Sequence, residues 1–152
     1  MRMWLVDPQV MCRKHLVGEH VEMHMLVGTI ARGKSLAGYV AKGLIDTTTI
    51  QSRHDALAHE MLARGYKHKS PLVVPPVEAM GHVDSLASIK ELARRCELCA
   101  SRQNGVIDPR DRGVQILDDW QPSFLLERIE KREKEDAERR RQGLPLLEFR
   151  FD

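Results

Sequence analysis

The stretch that decides the fold is MRMWLVDPQVMCRKHLVGEHVEMHMLVGTIARGK, residues 1–34. It predicts a helix from about Gln9 to Ala31, which stops at Gly33, a residue suited to a left-handed C-terminal cap. At about 100° per residue, Glu19 and Glu22 fall in one narrow sector of this helix, with apolar residues on both flanks. Ionised carboxylates are costly to bury unless they are paired with a cation or unless a functional site uses their perturbed pKa. The pattern predicts either acids neutralised by Arg or Lys elsewhere or a functional acid pair.

The composition is that of one mildly basic globular domain. The chain has 152 residues, a net charge of +2 and a sequence pI of about 8.5, which permits nucleic-acid binding without requiring it. It has no apolar run long enough for a membrane span, and Asp7-Pro8 interrupts its apolar start, so we expect a cytoplasmic protein. Three cysteines, an odd number, argue against a disulfide framework.

The remaining patterns predict an all-α fold, a compact single-domain bundle of about four helices with an extended N-terminal segment. We place further helices at about Thr48–Ala63, about Asp84–Arg102, where Ser88 and Glu91 have capping-box spacing, and about Ser123–Gln142. The last helix is long and almost entirely charged, and its nearly balanced signs favour a solvated helix over a DNA-binding arm. We expect residues 1–105 to form the core and residues 106–152 to pack on it or extend from it.

Two short motifs raise the possibility of a metal site. CELC places Cys96 and Cys99 at the spacing of half a zinc knuckle, but within a predicted helix and without a second such pair in sequence, so simple packing is favoured. His20 and His24 lie at i,i+4 and can chelate a metal from one helix face. Glu22 points nearly the opposite way, so it cannot act as general base to the same ion.

The α-amine of Met1 is a candidate nucleophile. An α-amino group titrates near about 7.7–8.0, so a useful fraction is neutral at cytosolic pH. Amines form Schiff bases with electrophilic carbons, and a neighbouring carboxylate can move protons or stabilise a cationic sugar. Because Arg2 is large, we expect Met1 to be retained as the true terminus.

These residues together resemble a known enzyme family. The segments MRMWLVDP, HLVGEHVEM and VGTIARGK, followed by R..ALAHEMLARGY from Arg53 to Tyr66, are similar to the pyrimidine-dimer DNA glycosylases, the endonuclease V-like enzymes. The resemblance covers roughly residues 1–70. It implies a single-domain, mostly helical fold without a cofactor, whose N-terminal amine attacks C1′ of a flipped-out damaged nucleotide and whose imine intermediate leads to strand cleavage.

The resemblance also implies roles for individual residues. Met1 is the reactive amine and Glu22 the essential glutamate, with Glu19 in support, while Arg2 and His15 match the neighbouring motif positions. We expect the partner to be double-stranded DNA with a damaged or modified base, preferably a pyrimidine, bound by a monomer and without a metal. The expected DNA-binding residues are Arg2, Arg13, Lys14, His15, His20, Arg32, Lys34, Arg64, Lys67 and Lys69.

The chain departs from the family pattern beside the essential glutamate. Val21 and Met25 stand where the family has arginines, and His24 replaces a proline. The aromatic-rich C-terminus of the family has no counterpart. These departures leave the amine and glutamate in register, while recognition of a pyrimidine dimer is open. Two alternatives stay open, a non-catalytic DNA-binding module of the same fold and a metal-dependent hydrolase using His20 and His24.

Overall fold

The computed structural model of the protein describes residues 1–113, 131, 134–135 and 137–144. This part of the chain contains no β-strand, which confirms the all-α class. Over residues 1–113 there are more helices than the four expected for the whole chain. They are α1 (Arg13–Ala31), α2 (Ala37–Ala41), α3 (Ile50–Ala63), α4 (Ser85–Arg95), α5 (Glu97–Gln103) and α6 (Pro109–Gly113), with 3₁₀ turns at Pro8–Val10 and Thr47–Thr49.

Helix α1 begins four residues later than the sequence predicts. The side chain of Asp7 accepts a 2.9 Å hydrogen bond from Gln9 N and starts a 3₁₀ turn instead, after which Cys12 is extended. The end of the helix is as expected, because Gly33 has a φ of 64°. Gly65, with a φ of 82°, follows α3 in the same way.

The core lies between α1 and α3. Leu16, Met23 and Leu26 of α1 are fully buried, as are Leu57 and Met61 of α3. Each such side chain contributes about 1.5–3 kcal/mol by leaving water. Since α1 is buried on both apolar flanks, its acidic sector faces other parts of the protein.

The N-terminal segment, residues 1–7, is non-helical and packs against the core; we call it the inner strap. Met3 is fully buried, and its backbone N donates to Leu44 O at 2.7 Å. Trp4 is also buried, whereas Leu5 takes a φ of 52°, the left-handed region that non-glycine residues seldom occupy. Tertiary contacts therefore fix the direction in which the first residues run.

The single helix predicted for about Asp84–Arg102 is wrong. Cys96 is extended, with φ −140° and ψ 112°, and divides the segment into α4 and α5. The capping box predicted from Ser88 and Glu91 is wrong as well, because the Asp84 side chain accepts hydrogen bonds from the amides of residues 86 and 87. An aspartate at the N-cap satisfies these amides, so the helix starts where the longer prediction placed it.

The proline-rich segment after α3 is held along the helix by side-chain hydrogen bonds. Gln51 donates to Leu72 O at 2.9 Å and accepts from Val74 N at 3.1 Å. Thr47 donates to Glu78 O at 2.7 Å. This segment returns the chain to the core without a helix of its own.

The C-terminal region is described only in parts. Asp111 of α6 accepts from Arg13 N at 3.2 Å and pairs with Arg102. The predicted helix of about Ser123–Gln142 and the tail lie largely outside the described residues, although residues 137–141 are helical. Among the helices described, none is both long and apolar enough to cross a membrane.

Candidate active site at the N-terminus

Glu19 is the structural member of the acidic pair. The residue is 2% exposed. Both of its carboxylate oxygens accept hydrogen bonds from Arg53, from Nε to Oε1 at 2.9 Å and from Nη2 to Oε2 at 2.7 Å. Trp4 N also donates to Oε1 at 2.9 Å. Arg53 in turn donates to Val6 O at 2.5 Å. For Glu19, the neutralised-acid interpretation describes the structure, and the ion pair fastens the N-terminal strap.

Glu22 is the member of the pair that faces the chain terminus. Its Oε2 accepts a 3.1 Å hydrogen bond from Arg2 N, and the residue is half-buried. Burial raises the pKa of Glu22 above its usual range, while the Arg2 amide and the charge of the Met1 ammonium oppose the rise. The carboxylate of Glu22 thus lies near the N-terminal amine. Unlike Glu19, it has no two-point ion pair with an arginine among the described residues, so it can exchange a proton more readily.

Arg2 contributes a second cation to this site. Its guanidinium lies over the Trp4 ring, 3.9 Å from the centroid, and its Nε is buried with no hydrogen-bond partner among the described residues. Burial lowers the pKa of Arg2, and the nearby charge of Arg95 lowers it further. An unused buried donor with a second arginine nearby makes this a candidate position for an anion such as phosphate, which guanidinium groups bind through paired hydrogen bonds.

Arg95 is a site residue that the sequence did not reveal. It is exposed on the last turn of α4 and forms an ion pair with Glu91 at 2.5 Å. Nothing in its local sequence distinguishes it from the other arginines of the chain. Only the packing of α4 near the N-terminal strap brings it close to Arg2.

The expected DNA-binding residues divide into exposed and enclosed groups. Arg13 is buried with its guanidinium over the Tyr66 ring at 4.7 Å, and Arg64 binds Glu60 and the backbone of the 3₁₀ turn. Arg32 is half-buried, and its Nε donates to Gly28 O at 2.8 Å. All three arginines therefore make contacts within the protein. The exposed residues of the set, which remain predictions as DNA contacts, are Lys14, Lys34, Lys67 and Lys69.

His20 is not placed to contact DNA. It is 1% exposed, and its Nε2 lies 3.1 Å from His54 Nε2 and 3.0 Å from His68 Nε2. The His24 ring lies 5.1 Å from that of His20, so the expected two-histidine chelate is embedded in a larger cluster. Burial, followed by the neighbouring imidazoles, lowers the pKa of His20 to about 3. One ring nitrogen each from His20, His54 and His68 could hold a metal ion, at a place where His20 and His54 are buried and His68 is half-buried.

His15, a motif position and one of the expected DNA-binding residues, lies beside two cysteines. Its Nδ1 is 3.2 Å from Cys12 Sγ and 3.4 Å from Cys99 Sγ, and its ring meets Trp4 edge-on. Cys96 completes the group, with its sulfur 3.8 Å from that of Cys12. Hydrogen bonds from Cys99 and His15 lower the pKa of the Cys12 thiol to about 4 in spite of its burial. The CELC pair is therefore joined by two further ligand side chains from the start of α1.

The N-terminal part of the chain is similar to a known enzyme family. Residues 1–73 match the model of the family described as pyrimidine dimer DNA glycosylase. The match confirms the resemblance inferred from the sequence, and it supports DNA glycosylase as the general class of activity, with DNA as the substrate. No match is found among curated proteins or among solved structures. The matched part contains Met1, Arg2 and Glu22, whereas α4 and α5 lie beyond it.

Proposed function

We propose that the protein is a DNA glycosylase with associated AP-lyase activity, in which the α-amine of Met1 is the nucleophile and Glu22 the catalytic carboxylate. The single observation that carries the proposal is the 3.1 Å hydrogen bond from Arg2 N to Glu22 Oε2. It holds the first peptide of the chain against a carboxylate that has no arginine clamp. An amine next to a proton-exchanging acid has the two parts that imine chemistry needs.

The reaction begins with the neutral Met1 amine. Its lone pair forms a bond to C1′ while the bond from C1′ to the base breaks, and the departing base takes a proton. The new ammonium loses a proton, its lone pair expels O4′, and O4′ is protonated as the sugar ring opens to the imine. Loss of a proton from C2′ then expels the 3′ phosphate, and water releases the protein from the imine.

Glu22 acts at the steps that involve positive charge and proton transfer. As a carboxylate it stabilises the developing sugar cation, and with its raised pKa it can deliver a proton to O4′ and accept one from C2′. Arg2 and Arg95 hold a phosphate beside the reacting sugar. Lys14, Lys34, Lys67 and Lys69 supply salt-dependent contacts to the flanking backbone.

The preferred substrate is duplex DNA with a damaged or modified pyrimidine. Val21 and Met25, at the positions of the family's arginines, are 4% and 7% exposed and pack inside the protein. Buried apolar side chains offer no phosphate contact from this face of α1, so the lesion is held in another way than in the family pattern. We propose that the protein acts as a monomer on a damaged or modified pyrimidine other than a pyrimidine dimer.

Borohydride trapping tests the mechanism. Reducing the imine to a stable amine links the protein covalently to DNA, and we expect a cross-link with an abasic duplex and with one or more members of a panel of modified duplexes. N-terminal acetylation removes the nucleophile and should abolish the cross-link. Glu22→Gln should lower the rate of trapping and strand cleavage about 10²–10⁴-fold, the usual contribution of a positioned acid–base group.

The matched control is Glu78→Gln, since Glu78 is exposed and contributes only its backbone oxygen to the structure. It should trap and cleave like the wild type. A non-catalytic DNA-binding module would bind the same duplexes without any cross-link, and that result would exclude the proposal. Cleavage that survives acetylation but stops with a chelator would instead favour a metal-dependent hydrolase.

A further inference from the structure

We propose that Cys12, His15, Cys96 and Cys99 form a structural zinc site that ties α4 and α5 to the start of α1. One potential ligand atom from each of these four side chains lies within 4.8 Å of all the others. Three thiolates and one imidazole in tetrahedral arrangement are a common ligand set of structural zinc. This inference is independent of the proposed function.

The distances agree with a common tetrahedral centre. A Zn–S bond of about 2.3 Å gives a sulfur-to-sulfur separation of about 3.8 Å across a tetrahedron. The sulfurs of Cys12 and Cys96 are 3.8 Å apart. The 3.2 and 3.4 Å separations of His15 Nδ1 from the sulfurs of Cys12 and Cys99 are slightly shorter than a sulfur–nitrogen edge of about 3.6 Å would be.

The two pairs of ligands occupy equivalent places in their helices. Cys12 is the extended N-cap of α1 with His15 three residues on, and Cys96 is the extended N-cap of α5 with Cys99 three residues on. Neither cap side chain binds the free amides of its helix. Ser, Thr, Asp or Asn would be the usual residue at such a position, so cysteine at both caps indicates another role.

The surroundings support bound thiolates. Cys12 N donates a hydrogen bond to Cys99 Sγ at 3.2 Å. Such amide-to-sulfur bonds belong to the outer shell that orients metal ligands and offsets thiolate charge. Cys12 and Cys99 are buried and Cys96 is half-buried, which leaves four protein ligands and no evident open position for a substrate. A closed four-ligand site is structural in character.

The position of the site indicates what a bound zinc ion would hold together. It joins the N-terminal core to α4 and α5, helices that lie beyond the part matched by the glycosylase family. Cys96 directly follows Arg95, and His15 contacts Trp4, on which the Arg2 guanidinium rests. Zinc would therefore fix the position of Arg95 relative to Arg2.

Metal analysis of the full-length protein, purified under reducing conditions, tests the site. We expect about one zinc per chain, because a closed Cys₃His site retains its metal through purification. Cys96→Ser and Cys99→Ser should each lose most of that zinc, whereas His59→Asn, at an exposed histidine outside both clusters, should keep it. Replacing zinc by Co²⁺ should give thiolate-to-cobalt charge transfer and the strong visible bands of a tetrahedral centre.

A second measurement does not depend on the folding of variants. Titrating the native protein with an organomercurial should release zinc in step with modification of the cysteines. The proposal is overturned if the wild type contains no stoichiometric zinc and binds none on reconstitution. It is equally overturned if zinc persists in both cysteine variants but is lost from His54→Asn, since the metal would then belong to the histidine cluster.

Discussion

Arg53 holds Glu19 in a two-point ion pair, with Nε on Oε1 at 2.9 Å and Nη2 on Oε2 at 2.7 Å, and both side chains are almost completely buried. The same arginine donates to Val6 O, and the same glutamate accepts from Trp4 N. The pair therefore fixes both sides of the strap that delivers the terminal amine to Glu22. Its contribution is to place the strap, and the proposed chemistry falls to the neighbouring Glu22.

Removing one partner of this pair should destabilise the protein strongly. Arg53→Met leaves Glu19 buried without its cation, and we expect a loss of about 3–5 kcal/mol in the free energy of unfolding. Denaturant unfolding measures it. Arg110→Met, at an exposed ion pair, should cause no measurable loss. Adding Glu19→Met to Arg53→Met should recover part of the stability, and an additive loss in the double variant would contradict this account.

Glu22→Gln should be more stable than the wild type at neutral pH, although we expect it to lose activity. Because burial raises the folded-state pKa of Glu22, its contribution to stability is present below the unfolded pKa and is lost as the pH rises through the folded pKa. Glutamine does not ionise and escapes this loss. Urea midpoints of the two proteins should converge in acid and separate toward neutral pH. A wild type that is the more stable protein at pH 7 would argue against a raised pKa.

The histidine cluster should make the protein sensitive to acid. Burial and the mutual proximity of the imidazoles lower the pKa of His20 to about 3 and of His24 to about 4, in the company of His54 and His68. Their contribution to stability is present above the unfolded value of about 6.5 and is lost as the pH falls toward the folded values. We expect the free energy of unfolding to decrease by up to about 1.4 kcal/mol per pH unit for each such proton.

Measuring stability against pH separates this effect from general acid denaturation. His20→Leu removes one buried imidazole and should give a shallower decline between pH 6.5 and pH 4, whatever its effect on stability at neutral pH. His59→Gln, at an exposed position, should leave the slope unchanged. Identical slopes in the wild type and His20→Leu would show that the cluster does not take up the protons.

Arg95→Ala should weaken binding to an abasic duplex and reduce the dependence of that binding on salt. Loss of one phosphate contact lowers the slope of log K against log salt by about 1. Fluorescence anisotropy over a series of salt concentrations gives both values. Arg110→Ala is the control, because Arg110 is likewise exposed and ion-paired, with Glu97 and Asp108, but is not among the charges that act on Arg2. Equal slopes for Arg95→Ala and the wild type would place the phosphate elsewhere.

Gly81→Ala should be far more harmful than the same change at another left-handed glycine. Gly81 has a φ of 81°, and an added Cβ would lie 2.1 Å from Ile45 O. Gly105 has a φ of 75° with nothing within 4 Å, so Gly105→Ala carries only the backbone cost of about 1–2 kcal/mol. We expect Gly81→Ala to exceed that cost in thermal or denaturant unfolding. Similar losses in both variants would mean that the chain moves aside at Ile45.

The sequence predicts the parts of the fold that depend on local pattern. Apolar spacing located α1 and α3, and α1 ends before Gly33 as the pattern predicts. The break at Cys96 could not be predicted, because α4 and α5 together have the composition of one helix and the interruption depends on contacts with Cys12 and His15. Local propensity is silent on such long-range pairing.

The candidate site was predictable to a similar extent. The register of Met1, Arg2 and Glu22 follows from the family resemblance, and their roles stay a prediction. Arg53 was visible as a matching position, but its pairing with Glu19 required the fold. His20 and Arg13 have polar or charged side chains of the kind that contact DNA, yet both are buried. Helical spacing could not predict this, because it does not show which face of α1 the rest of the protein covers.

The inner strap also sets an order of events in time. Its contacts join Trp4 to Glu19, Arg53 to Glu19 and Arg53 to Val6, across 15, 34 and 47 residues of sequence. Closing such separations is entropically slow, so the strap docks only after α1 and α3 have come together. During synthesis, residues 1–7 can be held by these contacts only after Arg53 has left the ribosome. We therefore expect the hydrogen bond from Arg2 N to Glu22 to form late in folding, so that a nascent or partly unfolded chain lacks the assembled candidate site.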